Sequence, residues 1–233
     1  MKRIHLLLIL LMLALLAIPF RGQVRGMVTG RKSVEDRVRQ YGKEARARLT
    51  PHFAEAGVPY PPARIILVGI KDEKALHLYA AKNDGIPRLI RTYPILAASG
   101  SLGPKLREGD GQVPEGVYRI ESLNPNSQFH ELSLRVNYPN AFDRKMAAQD
   151  GREELGGDIM IHGGDCSVGC LAIGDKPAEE LFILAADTGI NNISVILSPV
   201  DFRKQVNAPP SSLSWVEELY RNIARELHKL PLS

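Results

Sequence analysis

A glycine-rich segment of ten residues, 161–170, constrains this chain more than any other feature of its sequence. It follows an apolar stretch that is typical of a strand, and it contains His162, three glycines and, eight residues after the histidine, Cys170. Glycine lets the backbone turn tightly, so a histidine that ends a strand and a cysteine that closes the next turn can come within hydrogen-bond distance. A base that removes the thiol proton makes cysteine a nucleophile. The segment therefore predicts a strand, a tight turn and a histidine-activated thiol.

Both cysteines of the chain, Cys166 and Cys170, lie in this segment, and two other roles for them stay open. A Cys166–Cys170 disulfide would suit an oxidising compartment, although so small a loop would contribute little to stability. A metal site would need His162, both thiols and, as a fourth ligand, Asp165. We favour the nucleophile, and we expect neither a metal ion nor an organic cofactor.

The start of the chain has the pattern of an export signal. Lys2 and Arg3 precede an almost wholly apolar run, 6–20, which Arg21 ends. About 15 residues is short for a helix that spans a bilayer, which needs ~20, and fits the apolar part of a leader. Because no Ala-x-Ala cleavage site follows, cleavage and retention as an anchor both stay open. We expect an exported protein of the periplasm or cell envelope, which contacts the membrane only through an uncleaved leader.

The charge of the chain gives no support for a nucleic-acid partner. Its 233 residues carry a formal net charge of +4. Three of the 30 basic residues, Lys2, Arg3 and Arg21, lie in the leader region without an acidic neighbour, so the rest has 27 basic and 26 acidic residues. Nucleic-acid-binding domains usually show a marked basic excess. We therefore expect no nucleic acid among the partners.

Strand and helix signals fill the rest of the chain. Residues 75–82 alternate in the manner of a strand, and two pairs, Ser33 with Asp36 and Ser214 with Glu217, have the spacing of a helix capping box. The pattern predicts helices from Ser33, over 176–188 and from Ser214, and strands over 64–70, 75–82, 88–95, 117–121, 132–137, 158–162 and 193–197. The predicted fold class is α+β and β-dominated, a curved mixed sheet with helices at both ends and one near the glycine-rich segment.

Three blocks of sequence make residues 64–199 resemble the L,D-transpeptidase catalytic domain, also called the YkuD-type domain. The first block comprises Gly103-Pro-Lys105, Gly109-Asp110 and the run Pro-Glu-Gly-Val-Tyr-Arg-Ile at 114–120. The second is Tyr-Pro-Asn-Ala-Phe-Asp at 138–143, and the third is His162-Gly163 with Ser-Val-Gly-Cys at 167–170. The second block and the short spacing from His162 to Cys170 point to the YafK-like branch. The resemblance implies the curved sheet, or sandwich, of that family.

The resemblance also implies catalytic roles. Cys170 would be the nucleophile and His162 the general base, with the imidazole held by a backbone carbonyl near Gly163 or Gly164. The backbone N–H groups of Gly169 and Cys170 would be the candidates that stabilise the oxyanion, and Ser167 would organise the turn. The implied reaction is acyl transfer from a peptidoglycan stem peptide, through a thioester at the carbonyl of meso-diaminopimelate.

Four residues of the second block and its surroundings are candidates for substrate binding: Tyr138, Asn140, Asp143 and Arg144. By resemblance they would bind the zwitterionic head of diaminopimelate, whereas turn chemistry alone would also account for them. Lys105 is interpreted as an ordinary exposed lysine. Two positions depart from the family pattern, with Val168 where a histidine is common and Ala172 where an arginine or asparagine is usual. An arginine there could hold a substrate carboxylate, so its loss leaves the recognition of the donor open.

Three classes of function remain compatible with the sequence. An amine acceptor would make the protein a transpeptidase, and water would make it a hydrolase of a diaminopimelate-linked amide, such as a lipoprotein attachment. A non-catalytic wall-binding protein is the third, which the intact His162 and Cys170 pair disfavours. The partners expected are stem peptides and a wall-linked lipoprotein. The sequence divides into a leader (1–21), a linker with a helix (22–62), the catalytic domain (63–200) and a helical extension (201–233).

Overall fold

The computed structural model describes residues 30–81, 85–128, 131–205 and 207–232. None of the helices in these ranges is both long and apolar enough to cross a membrane. The predicted leader, 1–21, lies outside the described residues and stays a prediction.

Nine strands of the described residues form one mixed sheet. They are β1 (Arg64–Ile70), β2 (Ala75–Ala81), β3 (Arg88–Pro94), β4 (Ala97–Ala98), β5 (Gly116–Asn124), β6 (Ser133–Val136), β7 (Met160–His162), β8 (Leu171–Ala172) and β9 (Ile193–Ser198). Their order is β3-β2-β1-β9-β5-β6-β7-β8-β4. The β1–β9 and β7–β8 pairs are parallel and the others antiparallel. The order places the glycine-rich segment between β7 and β8, far along the sheet from β1.

Four α-helices of the described residues accompany the sheet. They are α1 (Val34–Glu55), α2 (Ala141–Gln149), α3 (Asp175–Thr188) and α4 (Val216–Leu227), and a 3-10 turn lies at Ile190–Asn192. The predicted capping box of α1 is confirmed, because the Ser33 side chain accepts from the N–H of Asp36 and the Asp36 side chain accepts from the N–H of Ser33. Two groups of the first turn that have no partner within the helix are satisfied in this way.

Two apolar clusters lie on opposite faces of the sheet. On one face, α1 and α3 pack through Ala45, Leu49 and the buried side of α3. On the other, α4 packs against β1 and β9. Successive side chains of β2 point to opposite faces of the sheet. Leu76 and Leu78 therefore belong to the first cluster and Tyr79 to the second. The helices that the sequence places outside 63–200 therefore cover the two faces of one sheet.

The predicted β-dominated α+β fold with a mixed curled sheet is confirmed. Two details of the helices differ from the sequence predictions. The predicted capping box of Ser214 and Glu217 is wrong, because α4 begins at Val216 with Trp215 as its N-cap and without a side-chain cap. The indole N–H of Trp215 donates instead to the carboxylate of Asp150 at 2.8 Å, so a tertiary contact fixes the start of the helix. The second difference is α2, a helix that the sequence reasoning did not predict.

Candidate active site

Strands β7 and β8 place the predicted nucleophile and base on the same face of the sheet. In their parallel register Ile161 lies opposite Leu171, and His162 opposite Ala172. Ile161 and Leu171 belong to the buried cluster under α3. Because side chains alternate along a strand, His162 and the position of Cys170, just before Leu171, face away from that cluster. The two reactive side chains therefore project together from neighbouring strands, on a diagonal of the sheet.

The His162 ring is buried, with 1% of the residue exposed, and its orientation is fixed by a backbone carbonyl. Its Nδ1 lies 2.6 Å from the carbonyl oxygen of Gly163. A carbonyl oxygen can only accept, so the proton sits on Nδ1 and the lone pair on Nε2. Burial lowers the pKa of His162, and the hydrogen bond to Gly163 opposes that shift. The ring is therefore a neutral imidazole at neutral pH, with its lone pair on Nε2.

The Cys170 thiol lies against the backbone of the preceding strand. The N–H of Met160 is 3.4 Å from Sγ, and Sγ is 3.5 Å from the carbonyl oxygen of Asp158. Burial raises the pKa of the thiol, the N–H of Met160 lowers it, the Asp158 carboxylate raises it and the Lys105 ammonium lowers it. Because the pKa of Cys170 is raised and the pKa of His162 is lowered, the resting pair is a neutral thiol and a neutral imidazole.

Two serines hold the backbone around Cys170. The Ser167 hydroxyl donates to the carbonyl oxygen of Cys170 at 2.6 Å. The N–H of Gly169, which has a φ of +85°, donates to the Ser99 hydroxyl oxygen at 2.5 Å, and that hydroxyl donates to the carbonyl of Gly111 at 2.6 Å. Ser99 also donates its own N–H to the hydroxyl of Ser167 at 3.3 Å. Sequence reasoning missed Ser99, because nothing in the local sequence indicates a contact across 70 residues.

The other end of the glycine-rich segment is held by the start of α3. The N–H of Gly164 donates to the Asp175 carboxylate at 2.7 Å, and the carbonyl of Gly164 accepts from the N–H of Gly174 at 3.0 Å. The carbonyl of His162 accepts from the N–H of Ile173 at 3.0 Å. The segment is therefore bound at both ends, and Cys166 and Val168 lie exposed between those ends.

The loop from β4 to β5 lies on another side of the candidate site, and Asp110 is at the centre of the hydrogen bonds within this loop. The carboxylate of Asp110 accepts from the ammonium of Lys105 at 2.5 Å and from the N–H groups of Leu106, Arg107 and Gln112. The interpretation of Lys105 as an exposed lysine is wrong, because only 8% of the residue is exposed. Its charge is held inside this loop, and it lowers the pKa of Cys170.

The two thiols of the glycine-rich segment differ in their surroundings. Both cysteines are free thiols, Cys170 buried and Cys166 exposed, with Cys166 Sγ 3.5 Å from the Asp165 carboxylate. Within the part of the chain that the structure describes, no group of three or more His, Cys, Asp or Glu side chains is arranged to hold a metal ion.

Comparison with known proteins identifies the family of the chain. The model of the family described as "YkuD: L,D-transpeptidase catalytic domain" matches residues 63–195, more than half of the chain. The chain belongs to the L,D-transpeptidase catalytic domain family. It is similar to the Escherichia coli (strain K12) protein named "Putative L,D-transpeptidase YafK", with 35% identity over 114 residues, 48% of this chain. That match covers 43% of the relative, so the chain spans less than half the length of the curated relatives it matches.

Two solved structures are also similar, at a lower level. One is the helical cell shape determining protein Pgp2 from Campylobacter jejuni, with 24% identity, 59% of this chain and 48% of that chain covered, and a TM-score of 0.48. The other is L,D-transpeptidase 1 of Mycobacterium tuberculosis, with 16% identity, 58% and 62% covered, and a TM-score of 0.33. Because both scores lie below 0.5, membership of the L,D-transpeptidase family rests on the match of residues 63–195.

The four predicted substrate-binding residues lie at the start of α2, in structural contacts. Asn140 is the N-cap, and Asp143 completes a capping box with it while accepting from the Tyr118 hydroxyl at 3.2 Å. Tyr138 is buried, with its hydroxyl 3.4 Å from the carbonyl of Leu155, and Arg144 donates to the carbonyl of Pro139. Asn140 and Asp143 line a cavity of about 230 Å³ between β5, α2 and α4. Their role in substrate binding stays a prediction.

Proposed function

We propose that this chain is a cysteine-dependent peptidoglycan L,D-transpeptidase that works through a thioester acyl-enzyme. One observation carries the proposal. Nδ1 of His162 is 2.6 Å from a backbone carbonyl, which leaves Nε2 as the basic atom, on the same face of the sheet as the Cys170 thiol. A binding protein has no need of a base with a fixed tautomer beside a buried thiol.

In the first half-reaction, His162 Nε2 takes the proton of the Cys170 thiol as Sγ attacks the carbonyl carbon of meso-diaminopimelate. The S–C bond forms, and the carbonyl electrons move onto oxygen. The C–N bond to the terminal D-residue then breaks, and the imidazolium returns the proton to the leaving amine. Because the resting pair is neutral, the proton moves during the attack, and no thiolate has to be stored in the buried site.

The oxyanion formed in that step needs donors that are not already used. The N–H of Gly169 donates to Ser99 at 2.5 Å in the resting structure, so the N–H of Cys170 is the other predicted donor to the oxyanion. The hydrogen bond from Ser167 to the carbonyl of Cys170 fixes the peptide that follows the nucleophile. The turn is thus organised before the substrate arrives, which lowers the cost of orienting the reacting atoms.

In the second half-reaction an acceptor attacks the thioester carbonyl, and Sγ leaves with the proton that His162 has taken from the acceptor. An amine of a second stem peptide gives a crosslink. Water gives hydrolysis, which on the same site would release a diaminopimelate-linked lipoprotein. The thioester is common to both outcomes, so only the acceptor separates the two activities.

A peptidoglycan substrate would be met outside the cytoplasm, so we propose that the protein is exported. Peptidoglycan stem peptides are its proposed partners, and the predicted leader at 1–21 would deliver the chain to the cell envelope, with or without cleavage. The proposed division leaves the catalytic domain at 63–200, with the segments 22–62 and 201–233 contributing the helices that cover both sheet faces.

The test uses the protein without residues 1–29, incubated with purified diaminopimelate-type muropeptides and analysed by mass spectrometry beside Cys170→Ala. Muropeptide dimers that need Cys170 would establish a transpeptidase. Shortened stems or released lipoprotein peptides without dimers would establish the hydrolase. An unchanged muropeptide profile, with no acyl adduct on the intact protein, would contradict both activities and favour a wall-binding protein.

A further inference from the structure

We propose that Arg135, with Glu121 and Asp158, binds the free amino-acid head of the diaminopimelate side chain. This head carries an ammonium and a carboxylate on one carbon. The inference rests on the proposed function, because it assigns a binding site to the donor of that reaction.

The first observation is the position of Arg135 on the catalytic face. Arg135 on β6 pairs with Met160 on β7, and its neighbours Leu134 and Val136 are buried in the cluster on the opposite face. The next position across the sheet is that of Cys170, whose Sγ contacts the N–H of Met160. The α-carbons of Arg135 and Cys170 are thus separated by two strand spacings, roughly 10 Å.

The second observation is that the guanidinium of Arg135 is incompletely satisfied. Its Nη1 lies 2.7 Å from the Asp158 carboxylate, and its Nε lies 3.0 Å from the Glu121 carboxylate. Nε is nevertheless buried and has no hydrogen-bond partner among the described residues, so the contact with Glu121 is misaligned. A buried N–H without a partner costs free energy, and a planar ligand carboxylate that takes the place of Glu121 at the edge of the guanidinium would satisfy it.

The third observation is the accessibility of the three charges. The Arg135 side chain is 38% exposed, and those of Glu121 and Asp158 are 56% and 74% exposed. One cation between two anions matches a zwitterion, because the ligand carboxylate can pair with the guanidinium while its ammonium pairs with an acid. A ligand with only a carboxylate would meet two repulsive partners, and one with only an ammonium would meet the arginine.

Asp158 connects this site to the nucleophile. It has a φ of +55°, an uncommon conformation outside glycine that aspartate tolerates better than most residues. Its carbonyl oxygen is 3.5 Å from Cys170 Sγ, while its carboxylate pairs with Arg135. The head carbon of diaminopimelate is five C–C bonds from the carbonyl that the thiol attacks, roughly 6 Å when extended. With its carboxylate and ammonium beyond that carbon, the head extends toward a residue whose α-carbon lies about two strand spacings from that of Cys170.

The test compares two stem tetrapeptides, one with the natural diaminopimelate head and one with its free carboxylate amidated. For acylation of the unsubstituted protein, we expect kcat/KM to be 10- to 100-fold higher with the natural peptide than with the amidated one. Arg135→Ala should lose that preference by slowing only the natural peptide. Arg119→Ala is the matched control, because Arg119 is exposed on the same sheet face of the neighbouring strand, and it should keep the preference.

Two outcomes would overturn the inference. If Arg135→Ala slows both peptides equally, Arg135 only positions the backbone of Asp158. If the unsubstituted protein is acylated equally well by both peptides, it does not recognise the free carboxylate of the diaminopimelate head. A binding experiment separates failure of this inference from failure of the proposed function. NMR titration measures the binding of both peptides to Cys170→Ala and to Cys170→Ala/Arg135→Ala. Binding that depends on Arg135, without turnover by the unsubstituted protein, would support the binding site and contradict the proposed reaction. Equal binding by both variants would contradict the binding site.

Discussion

The backbone N–H of Gly169 donates a hydrogen bond to the hydroxyl oxygen of Ser99, at 2.5 Å. The Ser99 hydroxyl is itself directed by the carbonyl of Gly111, to which it donates at 2.6 Å. An N–H group has one proton, so the N–H of Gly169, the residue before Cys170, is already engaged in the resting protein. Ser99 therefore holds the peptide that precedes Cys170, as Ser167 holds the peptide that follows it.

Replacing Ser99 by alanine should lower the rate of acylation of Cys170 by about 10- to 100-fold with little change in KM. Loss of the hydroxyl frees the Gly169 peptide, and small displacements of a nucleophile have effects of about this size. The measurement is the rate of acyl-enzyme formation, followed by mass spectrometry of the intact protein. Ser101→Ala is the control, because Ser101 uses only its backbone in the hydrogen bonds of the described residues. Faster acylation by Ser99→Ala would instead show that the hydroxyl blocks an oxyanion donor.

The pH dependence of Cys170 alkylation should show a neutral resting pair. Burial raises the pKa of Cys170 above its usual value of 9.0 and lowers the pKa of His162 below 6.5. The thiolate population should therefore increase with pH through and beyond 9, and the iodoacetamide rate should follow it. The experiment uses Cys166→Ser, which removes the exposed thiol. A rate plateau between pH 5 and 8 would reveal a thiolate–imidazolium pair and contradict the prediction.

The sequence predicted most of the sheet because its strands carry their own periodic signals. The segments of β1, β3 and α3 match their predicted ranges to within a residue at each end. Helix α2 was missed because it has only nine residues, although Asn140 and Asp143 have the spacing of a capping box. The sequence around Tyr138 was interpreted instead as a turn that lines the cleft.

The contacts that complete the site could not be predicted from local sequence. Ser99 and Arg135 acquire their positions through strand pairing, which brings together residues separated by 70 and 25 positions in the chain. No periodicity marks either residue. Conversely, Trp215 overrides a good capping sequence, because a buried indole contact fixes the start of α4 more strongly than an exposed serine could.

Removing the charge of Glu115 should destabilise the protein by about 3 to 5 kcal/mol. The Lys71 and Glu115 side chains are 7% and 0% exposed, and Lys71 Nζ lies 2.9 Å from the carboxylate, which also accepts from the Tyr220 hydroxyl at 3.0 Å. In Glu115→Gln the lysine is left buried without an anion, and burial already lowers its pKa. Urea denaturation at pH 7 measures the change.

The double variant Lys71→Met/Glu115→Leu provides the comparison for that prediction. It removes both charges together, and apolar replacement of a buried ion pair is often close to neutral. It should therefore be more stable than Glu115→Gln. A loss below 1 kcal/mol in Glu115→Gln would show that solvent reaches Lys71.

Asp143 and Asp36 should give opposite dependences of stability on pH, although both complete a capping box. Burial raises the pKa of Asp143 from 3.8 to about 6. The folded protein therefore binds a proton more tightly than the unfolded chain, so this stabilisation is complete below pH 3.8 and is lost as the pH rises through 6. The hydrogen bond with the N–H of Ser33 lowers the pKa of the exposed Asp36, whose stabilisation is lost as the pH falls.

Thermal unfolding of Asp143→Asn and Asp36→Asn between pH 4 and 7.5 tests both signs. Relative to the unsubstituted protein, Asp143→Asn should gain roughly 1 to 3 kcal/mol on going from pH 4 to 7.5, because asparagine avoids the buried charge. Asp36→Asn should lose stability over the same range. If Asp143→Asn shows no pH-dependent gain, the carboxylate is solvated or paired, and the cavity beside it is open enough for the substrate role predicted from the sequence.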